Sequence, residues 1–593
     1  MNRWLPTLLI ALMPAAALGQ DAAPSRLARH LPAAEKTLEA NRERSGPVAF
    51  SAFWRALYES ALFSGDEGLA DALGGVTPAI TIDPIGRRLA GEVLRSYLQG
   101  RYGAALMADL RTMITFQTYA QEGRENWDLP EFVRQREWLQ ARAASLGLTF
   151  RSVDGRVEEI TLPRTERGPR PEVVDSIGLL THGDVQGVAG QEWSSPPFAA
   201  EIVGDRVIGR GSEDDKGPII AALYSLVALT DTGWVRPHDI RLLIANAEES
   251  SWEEIAYYLA RNPPPTVTLG LDAAYPVTHA QKGYGVVTVR AEAGAPGTGG
   301  PLAAGLPRWR LLQAGGGSGL SIIPERGEAY LLPPGTLSAD LSTARAALEE
   351  KVAAWLASHP EAQIEVGIDW PVLKLTAVGR GGHSSAPESG HNALGDLVAF
   401  LATLDLELDP WGSLVTFLGR HVGTETDGAS LGLRHQHPVL GPLTVSLAFL
   451  ETVDAVPQAR LNTRVPTGLS AAEHDRRVRT PAETFTKKTG ARVTATAALL
   501  SEPHLVPTEG ALVSSLLAVW QEVTGKPGKP VAIGGGTQAR LFPGGVDFGP
   551  AEDMVHYRGH GTDEYLTRAE LERIAALTAT ALLRLQSGPL PRP

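Results

Sequence analysis

Cysteine is absent from the 593 residues. Its absence excludes a disulfide framework, a thiolate metal site and a lipid-anchoring cysteine. Any metal must therefore be held by nitrogen and oxygen. Positive charge is in deficit: 54 Lys and Arg stand against 67 Asp and Glu, a formal net charge of −13. That balance argues against a nucleic-acid binder, which needs a basic face. Long apolar runs are missing beyond the first twenty residues, and a membrane-spanning helix needs about 20 apolar residues. Internal repeats and long charge blocks are missing as well.

The apolar stretch at the start has its own explanation. Arg3 precedes Leu5 to Leu18, which is broken by Pro6 and Pro14 and ends on Ala17-Leu18-Gly19. A positive start, a short apolar core and a small-residue cleavage pattern make residues 1–19 a secretory signal peptide. The mature protein is then expected in the periplasm or outside the cell, with no membrane attachment after signal removal.

A chain this long is expected to form two or three compact units. Residues 20–107 read as a helical N-terminal extension with Gly and Pro punctuation around Gly74 to Pro84, and no chemistry is assigned to it. From Ala108 onward, strands alternate with helices. Val173 to Leu180, Ile240 to Ala245 and Val267 to Leu271 are strand-like, and Pro130 to Leu146 has helical spacing. Pro218 to Leu229 reads as a helix with proline near its start and Gly233 beyond its end. This alternation predicts a doubly wound α/β sheet. The Gly, Pro and Ala composition of Ala293 to Gly319 predicts a linker or long loop. It lies within a second α/β segment, 283–499. After Leu505 the first style returns, with a helix over Leu512 to Val523 and a final helix capped by Thr567 and Glu570. The expected order is a catalytic domain over 108–282, an inserted α/β domain over 283–499, and the second part of the catalytic domain over 500–593.

Three segments share one design, a buried strand whose carboxyl end delivers polar residues. LLTHGDV carries His182 and Asp184, LLIANAEESSW carries Glu248 and Glu249, and TLGLDAAYP carries Asp272. Ligands of open α/β sheets bind beyond such strand ends. GRGSEDDKGP places Asp214 and Asp215 just before the Pro218 helix, where paired acids could also serve as dipole-favoured caps. Carboxylates converging on one sheet edge repel each other unless a cation neutralises them. Histidine with Asp and Glu suits zinc, with manganese or cobalt as alternatives. HGTDEYL offers a further histidine, His560.

With these blocks in view, the chain resembles the aminoacylase/carnosinase family of co-catalytic zinc peptidases, most closely its bacterial Xaa-His dipeptidase branch. THGDVQGV, GRGSEDDKGP, AEESSW, LGLDAAYPVTHAQKG, GRGGHSSAPESGHNA, LNTRVPTG, GGGTQAR and HGTDE follow the family order over about 108–585. The resemblance implies a doubly wound catalytic domain interrupted by a ferredoxin-like lid, and two zinc ions per chain. His182 and Asp272 would hold one ion, Glu249 and His560 the other, and Asp214 would bridge them. Asp184 would orient His182 through its second ring nitrogen. Glu248 would be the general base and His383 a donor to the developing oxyanion. Arg464 would grip the substrate carboxylate, helped by backbone donors of Gly534, Gly535 and Gly536. Ser321 stands where the family often has asparagine. His435 and His437 read as lid-loop residues, and Trp252 as helix packing.

The expected activity is hydrolysis of dipeptides or similarly small peptides with a free carboxyl end. The alternative is an N-acyl-amino-acid deacylase on the same metals. A non-catalytic binding relative is disfavoured by Glu248 standing beside all five ligands. The long 283–499 insertion favours a monomer over a lid-mediated dimer.

Overall fold

The structure is a computed structural model that describes residues 26–75, 84–165, 175–189, 191–293, 308–335, 341–554 and 556–592. The expected signal peptide lies outside the described residues. The chain divides into two units. The first is Met1–His279, Val506–Val531 and Thr537–Pro593, and the second is Ala280–Leu505 and Ala532–Gly536.

The first unit is built on a mixed sheet. Ser176–His182 is buried at every position, as is Val267–Gly270, and most of Asp239–Ala245 is buried too. Strands covered on both faces read as unbroken apolar runs, which is the signature of a parallel sheet centre. They pair in parallel, with Ile177 opposite both Ile240 and Val267, and Leu269 opposite Val546. Val157–Leu162 adds antiparallel to Asp239–Ala245, and Thr149–Val153 lies beyond it.

Helix Gly217–Thr232 lies in the connection between the parallel strands Ser176–His182 and Asp239–Ala245. Pro218 sits in its first turn and Gly233 ends it at φ 67°. Nearly every residue of this helix is buried. A helix that is apolar all round must be covered on every side. Helices Pro84–Ile114, Gly46–Phe63 and Arg568–Leu585 pack against it. The N-terminal segment is therefore part of this unit rather than an appendage. Leu27, Phe53 and Tyr97 share one core with Leu223 and Leu577, and Tyr97 donates to Asp231 at 2.8 Å. The boundary expected at 107/108 falls inside helix Pro84–Ile114. That boundary followed a change in composition, whereas the packing need of helix Gly217–Thr232 only shows in three dimensions.

The second unit has an antiparallel sheet of eight strands. Four of them, Gly283–Glu292, Thr444–Val453, Val456–Val465 and Arg492–Ser501, form its base. Val456–Val465 lies between Thr444–Val453 and Gly283–Glu292, and Arg492–Ser501 borders the latter. Helix Pro410–His421 precedes the second of these strands and helix Ala471–Thr489 the fourth. This is the βαββαβ plan of a ferredoxin-like fold. The remaining strands come from a sequence insertion between the first two base strands, and they extend the sheet through Gly316 opposite Leu450. Part of the expected linker is one of these strands, Arg310–Gly316, which pairs with Arg326–Leu332. Its glycines at 315–317 read as a loop, yet they let the backbone approach closely. A Cβ on Gly316 would stand 2.6 Å from the Arg326 carbonyl oxygen.

Candidate active site

The first unit gathers its polar residues at the carboxyl ends of the parallel strands. His182 is the last residue of Ser176–His182, Glu248 and Glu249 follow Asp239–Ala245, and Asp272 follows Val267–Gly270. Asp214 comes from the irregular turn Ser212–Lys216 that leads into helix Gly217–Thr232, and its peptide bond to Asp215 is cis. His560 arrives on the loop before strand Tyr565–Thr567, with φ 66°.

Asp214 lies between the two imidazoles. Its Oδ1 is 2.8 Å from His182 Nε2 and its Oδ2 is 3.0 Å from His560 Nε2. Asp272 Oδ1 lies 3.6 Å from the same nitrogen of His182, and Glu249 Oε1 lies 2.9 Å from that of His560. Two sets of side chains bring possible ligand atoms within 4.8 Å of one another: His182, Asp214 and Glu249, and His182, Glu248 and Asp272. The neighbouring acids Asp214 and Asp215 are separated by direction. Asp215 turns away from the imidazoles and accepts the backbone N–H of His182 at 3.0 Å.

The electrostatics show an excess of negative charge. Burial, and next the Asp272 carboxylate, push Glu248 well above the ordinary carboxyl range. Burial also pushes Asp272 up to about 6, against the pull of His182. Burial lowers His182, but Asp272 and the hydrogen bonds to Asp184 and Asp214 outweigh it and hold the imidazole well above its usual value. Four carboxylates facing two imidazoles leave charge that a cation would neutralise.

Asp184 meets the second ring nitrogen of His182 in two ways. Its backbone carbonyl, at 2.9 Å, is the nearer partner of His182 Nδ1, while its carboxylate lies at 3.6 Å. The carboxylate also accepts the backbone N–H groups of Glu248 at 3.1 Å and Glu249 at 3.0 Å. A carboxyl group with two oxygens can meet both donors of a tight turn at once, so Asp184 fixes the direction in which the two glutamates leave the backbone. Trp252 is likewise more than packing: at φ 61°, its indole N–H donates to the Glu248 carbonyl.

Several residues of the site escaped the sequence reading. Tyr557 donates its hydroxyl to Asp214 Oδ2, and Gln186 Nε2 donates to Glu249 Oε2 at 2.9 Å. Arg210 and Glu564 form a buried pair at 2.7 Å beneath the Asp214 turn. Arg210 and Glu564 lie inside motifs already singled out, GRGSEDDKGP and HGTDE, but neither motif says where its flanking side chains point.

The second unit holds its own cluster. Arg464, on Val456–Val465, is 6% exposed, and its Nε donates to Asn462 Oδ1 at 3.1 Å. Its Nη2 lies 3.2 Å from Ser321 Oγ, and the guanidinium stands 4.8 Å from the Tyr284 ring centre. Burial lowers the Arg464 pKa to about 10. No ion pair to Arg464 is found among the described residues of this unit. Ser321 also accepts, at its carbonyl, the N–H of Ser384 beside the exposed His383. His383 Nδ1 lies 2.6 Å from Ser385 Oγ. Gly534 packs on the same loop, since a Cβ there would stand 2.6 Å from the Ser385 carbonyl oxygen. Residues 321, 383–385, 464 and 534 thus meet. Ser321 and Asn462 were given no part beforehand. The histidines of the lid loop make local bonds, His435 Nε2 to the Thr467 carbonyl at 3.0 Å and His437 Nδ1 to the backbone N–H of Leu440 at 3.1 Å.

Comparison with known proteins agrees with this architecture. The model of peptidase family M20/M25/M40 matches residues 178–584. A beta-Ala-Xaa dipeptidase of Lactobacillus delbrueckii subsp. lactis is 29% identical over 417 residues, covering 69% of this chain and 82% of that protein. A putative dipeptidase of Staphylococcus aureus (strain MRSA252) is 26% identical over 499 residues, 82% of this chain and 98% of that protein. Among solved structures, human carnosine dipeptidase 1 shares the fold, with a TM-score of 0.50 at 14% identity over 84% of this chain and 98% of that one.

Proposed function

The chain belongs to peptidase family M20/M25/M40 and is a metallopeptidase, and we propose that it is an exported dipeptidase that cleaves the amide bond of dipeptides with a free carboxyl end. The carrying observation is Asp214, whose two oxygens face two different imidazoles at 2.8 and 3.0 Å. A carboxylate so placed suits a bridge between two cations. His182 with Asp272, and Glu249 with His560, supply the remaining nitrogen and oxygen donors, a set that suits zinc and also accommodates manganese or cobalt. Two divalent ions held there would acidify a water molecule and polarise the scissile carbonyl.

The chain's own groups do the rest. Glu248 and Glu249 both stand near the imidazoles, so proximity alone does not separate ligand from base. Hydrogen bonding supports one assignment: His560 and Gln186 engage Glu249, while no donor to the Glu248 carboxylate is found among the described residues. On this reading Glu248 takes the proton of the attacking water and returns it to the leaving amine. Asp184 and Trp252 hold the backbone of that turn. His383 serves as donor to the oxygen that becomes negative. Arg464, with the backbone of Gly534 to Gly536, receives the substrate carboxylate. The names of the two sequence relatives support the choice of dipeptides as substrate.

The test is metal content with turnover. About two divalent ions per chain are expected. Chelation should abolish hydrolysis of a dipeptide panel, and added zinc should restore it. Full activity in metal-free protein would refute the proposal. Faster turnover of N-acetyl amino acids than of the matching dipeptides would instead identify a deacylase. Export is checked separately: native protein should begin near Gln20 or Asp21, and an intact Met1 terminus would contradict it.

A further inference from the structure

Glu564 and Arg210 are large, charged and almost wholly enclosed, at 0% and 1% side-chain exposure. Neither reaches an imidazole or a ligand carboxylate, so neither has a part in the chemistry described above. Their hydrogen bonds show what they hold. Glu564 Oε1 accepts the backbone N–H groups of Glu213 at 2.8 Å and Asp214 at 3.1 Å. Its Oε2 accepts Gly211 N–H at 3.1 Å and Arg210 Nη1 at 2.7 Å. One carboxylate thus gathers three backbone donors of the turn that carries Asp214.

Arg210 extends the grip to the other side. Its Nη2 donates to the backbone carbonyl of His560 at 3.1 Å and to Gln191 Oε1 at 2.8 Å. Gln191 Nε2 donates to the same His560 carbonyl at 2.9 Å, and Trp193 Nε1 holds Gln191 Oε1 at 3.2 Å. His560 needs such a hold. At φ 66° it lies in the left-handed region that a side chain bearing a Cβ rarely occupies. Residues kept there persist when their surroundings over-determine them.

We propose that the Glu564–Arg210–Gln191 chain is a positioning clamp that sets the spacing between Asp214 and His560, and with it the affinity of the metal position formed by Asp214, Glu249 and His560. The proposal rests on reading those three residues as ligands. It distinguishes the two positions. The clamp takes hold of the Asp214 turn and the His560 peptide, while His182 and Asp272 are delivered by strands of the central sheet. Residues that orient ligands from behind typically change metal affinity 10- to 100-fold when altered.

The experiment uses the full mature chain, stripped of metal and titrated with zinc against a chromogenic chelator, so that the readout is affinity and not activity. Glu564→Gln loses a charge and turns a donor toward the backbone N–H groups. The ion held by Asp214, Glu249 and His560 should then bind about 10- to 100-fold more weakly, and the other ion, which shares only Asp214 with it, should weaken less. Gln191 is half-buried, and Gln191→Leu leaves the buried pair intact, so it decides the matter if Glu564→Gln does not fold. It should weaken the same single ion about tenfold. A merely structural role would lower the melting temperature without selecting one ion. Unchanged affinity for both ions in Gln191→Leu, or equal weakening of both, overturns the clamp. An unmutated protein that binds fewer than two zinc ions overturns the metal reading itself, and the clamp with it.

Discussion

Glu248→Gln is expected to bind the full complement of metal and to lose at least about 10²–10⁴ in kcat, the usual range for removal of a general base. Glutamine keeps the shape but cannot take a proton. Metal should be retained because His182, Asp214, Glu249, Asp272 and His560 are untouched. The neighbouring change should behave differently. Glu249 stands 2.9 Å from His560 and is held by Gln186, so Glu249→Gln should weaken metal binding and recover part of its activity at high zinc. The pair of variants is measured by metal analysis alongside steady-state kinetics. Near-normal turnover in Glu248→Gln, or metal loss in it, would reverse the assignment of the two glutamates.

The second large effect concerns the substrate's carboxyl end. Arg464 is buried, its hydrogen-bond and ring partners are Asn462, Ser321 and Tyr284, and no carboxylate pairs with it among the described residues of its unit. Burying a cation without a counter-charge is costly, and burial already lowers its pKa to about 10. A carboxylate supplied by the substrate would complete the pair, and an arginine fork matches it with two parallel bonds. Breaking one partner of a buried charge-assisted pair costs roughly 2–5 kcal/mol. Amidated dipeptides should therefore show kcat/KM at least about tenfold below that of the free acids, and Arg464→Ala should erase most of that preference. Equal kcat/KM for acid and amide on the unmutated enzyme would remove Arg464 as the anchor and end the reading of a carboxyl-end-dependent peptidase.

Much of the catalytic unit was legible along the chain because it is encoded locally. A strand buried on both faces must be apolar throughout, so Ser176–His182 and Val267–Gly270 stand out in the text, and the polar residues at their ends stand out against them. Proline in the first turn and glycine at φ 67° after the last mark helix Gly217–Thr232 by rules that act within a few residues. The capping box of Thr567 and Glu570 is present for the same reason.

What depends on distant partners was not legible. The helices before residue 108 look like an appendage until the apolar helix Gly217–Thr232 is seen to need a cover. Gly316 and Gly317 read as a loop until neighbouring strands are seen to come too close for a Cβ. Asp214 and Asp215 are identical in type and adjacent, and only the fold turns one toward the imidazoles and the other toward a backbone N–H. Resemblance gives Asp184 a part at an imidazole, but not the two N–H groups of a turn 64 and 65 residues away that its carboxylate also accepts. Glu564 and Arg210 show the limit most plainly. The sequence determined that the chain has an α/β sheet with nitrogen and oxygen ligands at its strand ends, because periodicity and residue type are local properties. Which side chain faces a ligand, which supports one from behind, and which only closes a core was decided by the tertiary structure, because those choices depend on hydrogen-bond partners far away in sequence, 354 residues apart for Arg210 and Glu564.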